Sequence, residues 1–234
     1  MELSDCWVVI PAAGVGARMG ANKPKQYLEI NGKTILEHTL ERLLKLPDLR
    51  GVVLVLGAED TYWQRLPAVQ NPLVKTVEGG NERCDSVLNG LKSLQNEVKP
   101  DDWVLVHDAA RPCVALDDIQ NLRHDIKHHP AGGILGVPVS DTLKRVSDDS
   151  SIEATVDRSV LWQAQTPQAF RYGVLSDALS QALQKGLNIT DEASAVESAG
   201  YKPLMVEGRR DNIKITRPED LPLAELTLKL QASP

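Results

Sequence analysis

Residues 11–27 read PAAGVGARMGANKPKQY; they follow the apolar run Trp7-Val8-Val9-Ile10 and carry Arg18, Lys23 and Lys25, with no acid between Asp5 and Glu29. From Pro11 onward the small residues Ala12, Ala13, Gly14 and Gly16 let backbone N–H groups approach a ligand. Amides backed by cations are what a triphosphate requires, so the stretch points to a phosphate site rather than a solvated turn. It is not a familiar cofactor loop. Counting GxGxxG from Gly14 and Gly16 puts Met19 where the third glycine belongs, and the GxxxxGK[ST] spacing fails too. Neither a dinucleotide nor a Walker-type ATP site is supported.

Four further places hold residues able to do chemistry. Val104-Leu105-Val106-His107-Asp108 reads as a buried strand ending in a carboxylate. Ligands of open parallel sheets collect beyond strand carboxyl ends, so Asp108 can face Mg²⁺ or another divalent cation; capping a turn is the alternative. Arg111, three residues on, can meet a second anionic group or lie on the surface. His107, with no second ligand at useful spacing, reads as structural. In Gly79-Gly80-Asn81-Glu82-Arg83-Cys84-Asp85-Ser86, the glycines permit close backbone approach and Ser86 can hydrogen-bond a base; a helix-start turn capped by Asn81 is the alternative. Thr190, before Asp191 and Glu192, can be an N-cap and can also meet an anion or sugar hydroxyl. Lys214 lies on the alternating run Asn212-Ile213-Lys214-Ile215, opposite Ile213 and Ile215. There is no convincing Ser-His-Asp, Cys-His or paired-carboxylate arrangement.

The elements that must position these residues alternate between β-branched apolar runs and segments of helical period, the pattern of an α/β layered, mostly parallel sheet. Strands are expected at 7–11, 52–56, 74–77, 103–107, 133–139, 203–206 and 212–215. Thr34-Ile35-Leu36-Glu37 reads as a capping box opening a helix with Leu36, Leu40, Leu43 and Leu44 on its apolar face, stopped by Pro47. Further helices are expected at 82–94, 117–128, 172–185, 190–199 and 218–230. The alternation breaks at 138–170, where two extended stretches flank Asp148-Asp149-Ser150-Ser151, predicting a hairpin arm on a single domain spanning 1–234.

PAAGVGARM with PKQY resembles the nucleotidyltransferase signature of the 2-C-methyl-D-erythritol 4-phosphate cytidylyltransferase family. VEGGNERCDSV (77–87), VHDAARPC (106–113), DTLKRV (141–146), TVDR (155–158), QTPQAF (165–170), TDEASAVESAG (190–200) and EGRRDNIKITRPEDL (207–221) resemble that family's successive blocks, in order. The resemblance runs from Val8 to about Leu226. It implies a Rossmann-like nucleotidyltransferase fold with a projecting β-arm, and CTP bound by Pro11, Ala12, Ala13, Gly14, Gly16, Gly80, Asn81 and Ser86. Cytosine would be read through the backbone around Gly80 and the Ser86 hydroxyl. It also implies a homodimer of interlocked arms, with Thr142, Arg158 and Thr166 presented to a phosphorylated polyol at the neighbouring subunit's site. Lys214 would meet that substrate's phosphate, oriented by Asp211 and Asn212. Position 81 departs from the family, where Asp is common; Asn keeps an acceptor oxygen and adds a donor. The implied reaction needs no general base, because a phosphate monoester is mostly ionised at neutral pH. It needs charge compensation at the α-phosphorus, for which Arg18 and Lys25 are the candidates. The same chemistry on ribitol 5-phosphate or a related pentitol phosphate, and a non-catalytic nucleotide-binding regulator, are the alternatives.

Length and charge narrow the class. The chain's 234 residues suffice for a large core without disulfide or metal support. A formal charge of −6 argues against a general binder of nucleic acid or anionic membrane, so an anion must be held by local cations. Cys6, Cys84 and Cys113 are far apart and lack CxxC spacing, as expected of reduced cytoplasmic thiols. Glu2 and Asp5 stand where a secretory signal wants positive charge, and no apolar run is of membrane-spanning length.

Overall fold

The structure, a computed structural model, describes residues 5–14 and 23–232. Gly16, Arg18 and Met19 lie outside the described residues. Among those described, seven strands form one sheet in the order β11-β7-β10-β6-β1-β4-β5. They are β1 (Cys6–Pro11), β4 (Leu49–Leu56), β5 (Val74–Glu78), β6 (Trp103–Val106), β7 (Gly132–Pro138), β10 (Trp162–Arg171) and β11 (Leu204–Glu207). Two short ribbons, β2 (Glu29–Ile30) with β3 (Lys33–Thr34) and β8 (Leu143–Val146) with β9 (Ile152–Val156), stand apart. Neighbours in the main sheet run parallel except at β10, which is antiparallel to both β6 and β7.

The period-2 pattern of β1 and β4 decides which helices cover which face. Val8, Ile10, Val52 and Leu54 pack with Leu36, Leu40 and Leu43 of α1 (Ile35–Leu43) and with Ile119, Leu122 and Ile126 of α3 (Leu116–Ile126). Val9, Val53 and Val55 pack on the other side with α2 (Arg83–Lys92), α4 (Tyr172–Gln184) and α5 (Glu192–Ser198). The capping box at Thr34 and Glu37 is present, with the Glu37 N–H donating to Thr34 Oγ1 at 3.1 Å. The last helix, α6 (Asp220–Ala232), lays Ala224 and Leu228 against Ile30, Ile35 and Ile215.

Three expectations are corrected. The second extended stretch of the arm is divided: β9 ends at Val156, and β10 belongs to the main sheet, so the free-standing hairpin is Leu143–Val156 and not all of 138–170. Residues 212–215 form no strand. Their backbone groups are taken up elsewhere: the Asn212 carbonyl by Arg111, the Ile215 N–H by the Ala110 carbonyl, and the Ile215 carbonyl by Lys25. Helix α5 is capped by Asp191, which accepts the Ser194 N–H at 2.9 Å; Thr190 is exposed and its N–H donates to Ser194 Oγ.

Candidate active site

Chain order places a topological switch between β1 and β6. After β1 the chain builds β4 and β5 on one side, then returns to lay β6 on the other. The crevice beyond the carboxyl ends at such a point is where α/β sheets bind ligands. A cleft of about 210 Å³ opens there. One wall is Pro11, Ala12, Ala13 and Gly14; another is Gly80, Asn81 and Ser86 at the start of α2; Asp108, Lys25 and Lys214 complete it.

The β1 wall is fixed by its backbone. The Ala12 N–H donates to the Val55 carbonyl (2.7 Å), and the Ala12 carbonyl accepts from Nε2 of the buried Gln26 (2.7 Å). Gly79 must be glycine for this wall to meet the next, since a Cβ there would lie 2.7 Å from Ala13 Cβ and 2.8 Å from Ser86 Oγ. Ser86 Oγ accepts the Gly80 N–H (3.1 Å) and donates to the Glu82 carbonyl (3.0 Å), so amide and hydroxyl stand side by side in the cleft. Asn81 lines the cleft and does not cap α2, whose N-cap is Glu82. Lys25 Nζ donates to the Ile215 carbonyl at 3.0 Å, tying the loop after β1 to the segment before α6. Lys23 pairs with Glu29 at 3.6 Å, away from the cleft lining.

Asp108 is buried and faces three cations. Arg83 Nη2 is 3.1 Å from its Oδ1, Lys214 Nζ is 2.8 Å from Oδ2, and Arg111 Nε is 3.6 Å from Oδ2. Burial alone would push this carboxyl up, but Arg83 and Lys214 outweigh it and hold it well below the usual carboxylate range. Arg83 in turn donates to Glu192 at 2.6 and 3.1 Å, and the two carboxylates together overcome burial to keep its guanidinium protonated. Arg111 does not line the cleft; it is largely buried and donates to the Asn212 carbonyl at 2.6 Å.

Beneath Asp108 lies a buried polar chain. Thr166 Oγ1 accepts the Asp108 N–H (3.1 Å), and because the Arg111 carbonyl beside His107 Nε2 can only accept, the bare nitrogen of the neutral ring is Nδ1, which takes the Thr166 hydrogen (3.0 Å). His107 Nε2–H donates to the Arg111 carbonyl at 3.0 Å. Burial pushes the His107 imidazole down to about 4, so the neutral form this chain demands is the stable one. Thr166 is therefore corrected from an arm residue to a support for Asp108. Thr166 lies where the pairing of β10 with β7 shifts register, between Ala164 and Gln168. Asn212 is also corrected: its side-chain N–H donates to the Thr166 carbonyl (2.9 Å) and to Gln165 Oε1, Lys214 is oriented by Asp108 instead, and Asp211 pairs with Arg209.

Of the residues singled out in the sequence, Pro11 to Gly14, Lys25, Gly80, Asn81, Ser86, Asp108 and Lys214 meet in one cleft. Thr142, Arg158 and Thr190 do not reach it; all three are exposed, and Arg158 bonds to the Ser140 carbonyl. Arg83, Glu192 and Gln26 were missed. A buried acid implies a cation, but partners 109 residues apart leave no local spacing to read.

The family model described as 2-C-methyl-D-erythritol 4-phosphate cytidylyltransferase matches residues 6–230. Relatives of that name include one from Hahella chejuensis, 51% identical over 98% of this chain and 95% of its own length, and one from Ectopseudomonas mendocina, 56% identical over 92% of each. The solved structure of the Francisella tularensis 2-C-methyl-D-erythritol 4-phosphate cytidylyltransferase superposes with a TM-score of 0.84 at 39% identity, covering 96% of this chain and all of that one.

Proposed function

This chain belongs to the 2-C-methyl-D-erythritol 4-phosphate cytidylyltransferase family, and we propose that it joins CTP to 2-C-methyl-D-erythritol 4-phosphate in isoprenoid precursor synthesis. An oxygen of the acceptor's phosphate bonds to the α-phosphorus of CTP; the bond from that phosphorus to the bridging β-phosphate oxygen breaks, and pyrophosphate leaves. The products are 4-diphosphocytidyl-2-C-methyl-D-erythritol and pyrophosphate. The observation that carries this reading is the meeting of small-residue backbone, Lys25, Lys214 and Asp108 in one cleft at the switch point.

The nucleophile arrives ionised, since a phosphate monoester has its second pKa near about 6. No base is needed, and His107 offers none: both its nitrogens are committed within the fold. The Gly80–Ser86 wall receives the base, with a lone pair left on Ser86 Oγ to accept from it, and the Ala12–Gly14 backbone takes the phosphates. Lys25, with Arg18, compensates charge developing on the transferred phosphoryl group; Lys214 receives the acceptor's phosphate. Mg²⁺ takes one or two carboxylates and completes its shell with phosphate and water; Asp108 would hold such an ion through Oδ2, in exchange for the Lys214 ammonium now 2.8 Å away, while Oδ1 stays with Arg83. Such an ion, once bound, neutralises triphosphate charge.

The working unit in this reading is a homodimer. A two-stranded hairpin is marginal alone, and this one exposes Val146 (55%) and Ile152 (66%), with Val160 (78%) close by in sequence. Burying them against a second copy would carry Thr142 and Arg158, which do not reach their own cleft, to the partner's acceptor. No described helix is long and apolar enough to cross a membrane. Three buried, unbridged thiols fit the cytoplasm.

Pyrophosphate release is the test. It should require CTP over ATP, GTP and UTP, and methylerythritol phosphate should outcompete ribitol 5-phosphate. Preference for the pentitol phosphate would move the acceptor assignment; CTP binding without turnover on any polyol phosphate would make the chain a regulator.

A further inference from the structure

Glu192 is 1% exposed, a carboxylate sealed beneath the cleft and paired, among the described residues, with the single cation Arg83. Its partner Arg83 opens α2, and the planar guanidinium is divided between two acids. Nη1 and Nη2 donate to Glu192 Oε1 and Oε2, at 2.6 and 3.1 Å. Nε and Nη2 converge on one oxygen of Asp108, Oδ1, at 3.2 and 3.1 Å. The Asp108 oxygens are thereby made unequal: Oδ1 is committed to Arg83, and Oδ2 is met by Lys214 at 2.8 Å.

The Glu192 backbone is itself anchored to the sheet that carries Asp108. Gln168, buried on β10 opposite Val106 of β6, donates to Asp191 Oδ2 (2.8 Å) and accepts the Ala193 N–H (2.9 Å). A closed circuit results, from Asp108 through Arg83 and Glu192 to Gln168 and back across the β6–β10 pairing. A bidentate fork fixes direction as well as distance.

We propose that Glu192 is a positioning residue for cytidylyl transfer. By orienting Arg83 it holds Asp108 Oδ1, so that Oδ2 and Lys214 face the cleft in one arrangement. The inference rests on the activity proposed above. Base and phosphate contacts are made elsewhere in the cleft, so misalignment should appear in turnover more than in nucleotide affinity.

Glu192→Gln keeps the size and removes the charge. With wild-type turnover as reference, its kcat should fall ten- to a hundredfold while KM for CTP moves less than threefold. Glu192→Gln added to Arg83→Lys should cost no more than Arg83→Lys alone, because Glu192 acts through Arg83. A folded Glu192→Gln protein with unchanged kcat and only a lowered melting temperature would overturn the proposal, as would independent, multiplicative losses in the double variant. If Glu192→Gln does not fold, Glu192→Asp applies the same test: the charge stays, the reach shortens, and kcat should fall at near-wild-type Tm, unchanged kcat again overturning it. Absence of turnover in the wild type would instead count against the assigned activity.

Discussion

At Asp108, Arg83, Arg111 and Lys214 converge while Glu192 adds one further negative charge, so among the described residues three cations face two carboxylates. The surplus suits a polyanionic ligand in a protein whose formal charge is −6. Lys25 adds to it, its ammonium held at the cleft by the carbonyl of Ile215, the neighbour of Lys214. Preorganised donors of this kind are typically worth ~3–4 kcal/mol of barrier, about 10²–10³ in kcat. Lys25→Ala should therefore lose turnover on that scale and melt close to wild type; near-wild-type turnover would remove it from the transition state. Lys25 was legible in the sequence because the signal for it is local, an acid-free loop with a run of small residues, although its partner Ile215 is 190 residues away. Arg83 stood in a block that was read, but its role depends on Glu192, and only the fold brings the two together.

At the scale of elements, strands filled by β-branched residues and helices with a clear apolar stripe were legible to within a few residues. The boundaries that failed are where backbone or polar side chains serve the site. Segment 212–215 alternates like a strand, yet gives its backbone groups to Arg111, Ala110 and Lys25. Strand β10 was hidden because Gln165, Thr166 and Gln168 are buried polar residues, satisfied by Arg209, His107, Asp191 and one another rather than by apolar packing. The junction of β6 and β10 has a measurable signature. His107 is neutral in the fold, with its pKa lowered by burial from 6.5 to about 4. Between these values the unfolded chain binds the extra proton, so the His107 contribution is full above pH 6.5 and is lost as pH falls toward 4. The size is on the order of 3 kcal/mol. Denaturant unfolding of wild type and His107→Gln should give stability curves whose difference changes across this window; a constant difference from pH 7 to 4.5 would mean that the imidazole is not held neutral.

The whole molecule is asymmetric in a way that a lone chain does not resolve. The carboxyl end of the sheet carries both the cleft between β1 and β6 and, on the β7–β10 connection, a hairpin whose apolar side chains face solvent, as do Thr142 and Arg158 that flank it. If a second copy covers the hairpin, Arg18 acts in its own subunit and Arg158 in its neighbour's. Arg18→Ala and Arg158→Ala homodimers should then both be nearly inactive. In a heterodimer of the two, one cleft collects both lesions and the other has neither. Random reassortment of equal amounts gives about half heterodimers, and so about a quarter of the wild-type number of intact clefts. Subunits carrying different affinity tags allow the heterodimer to be isolated, and per dimer it should recover about half of wild-type activity by the same symmetry argument. Isolated heterodimers as inactive as either parent would show that Arg158 serves its own chain, and a monomer at working concentration would remove the shared site altogether.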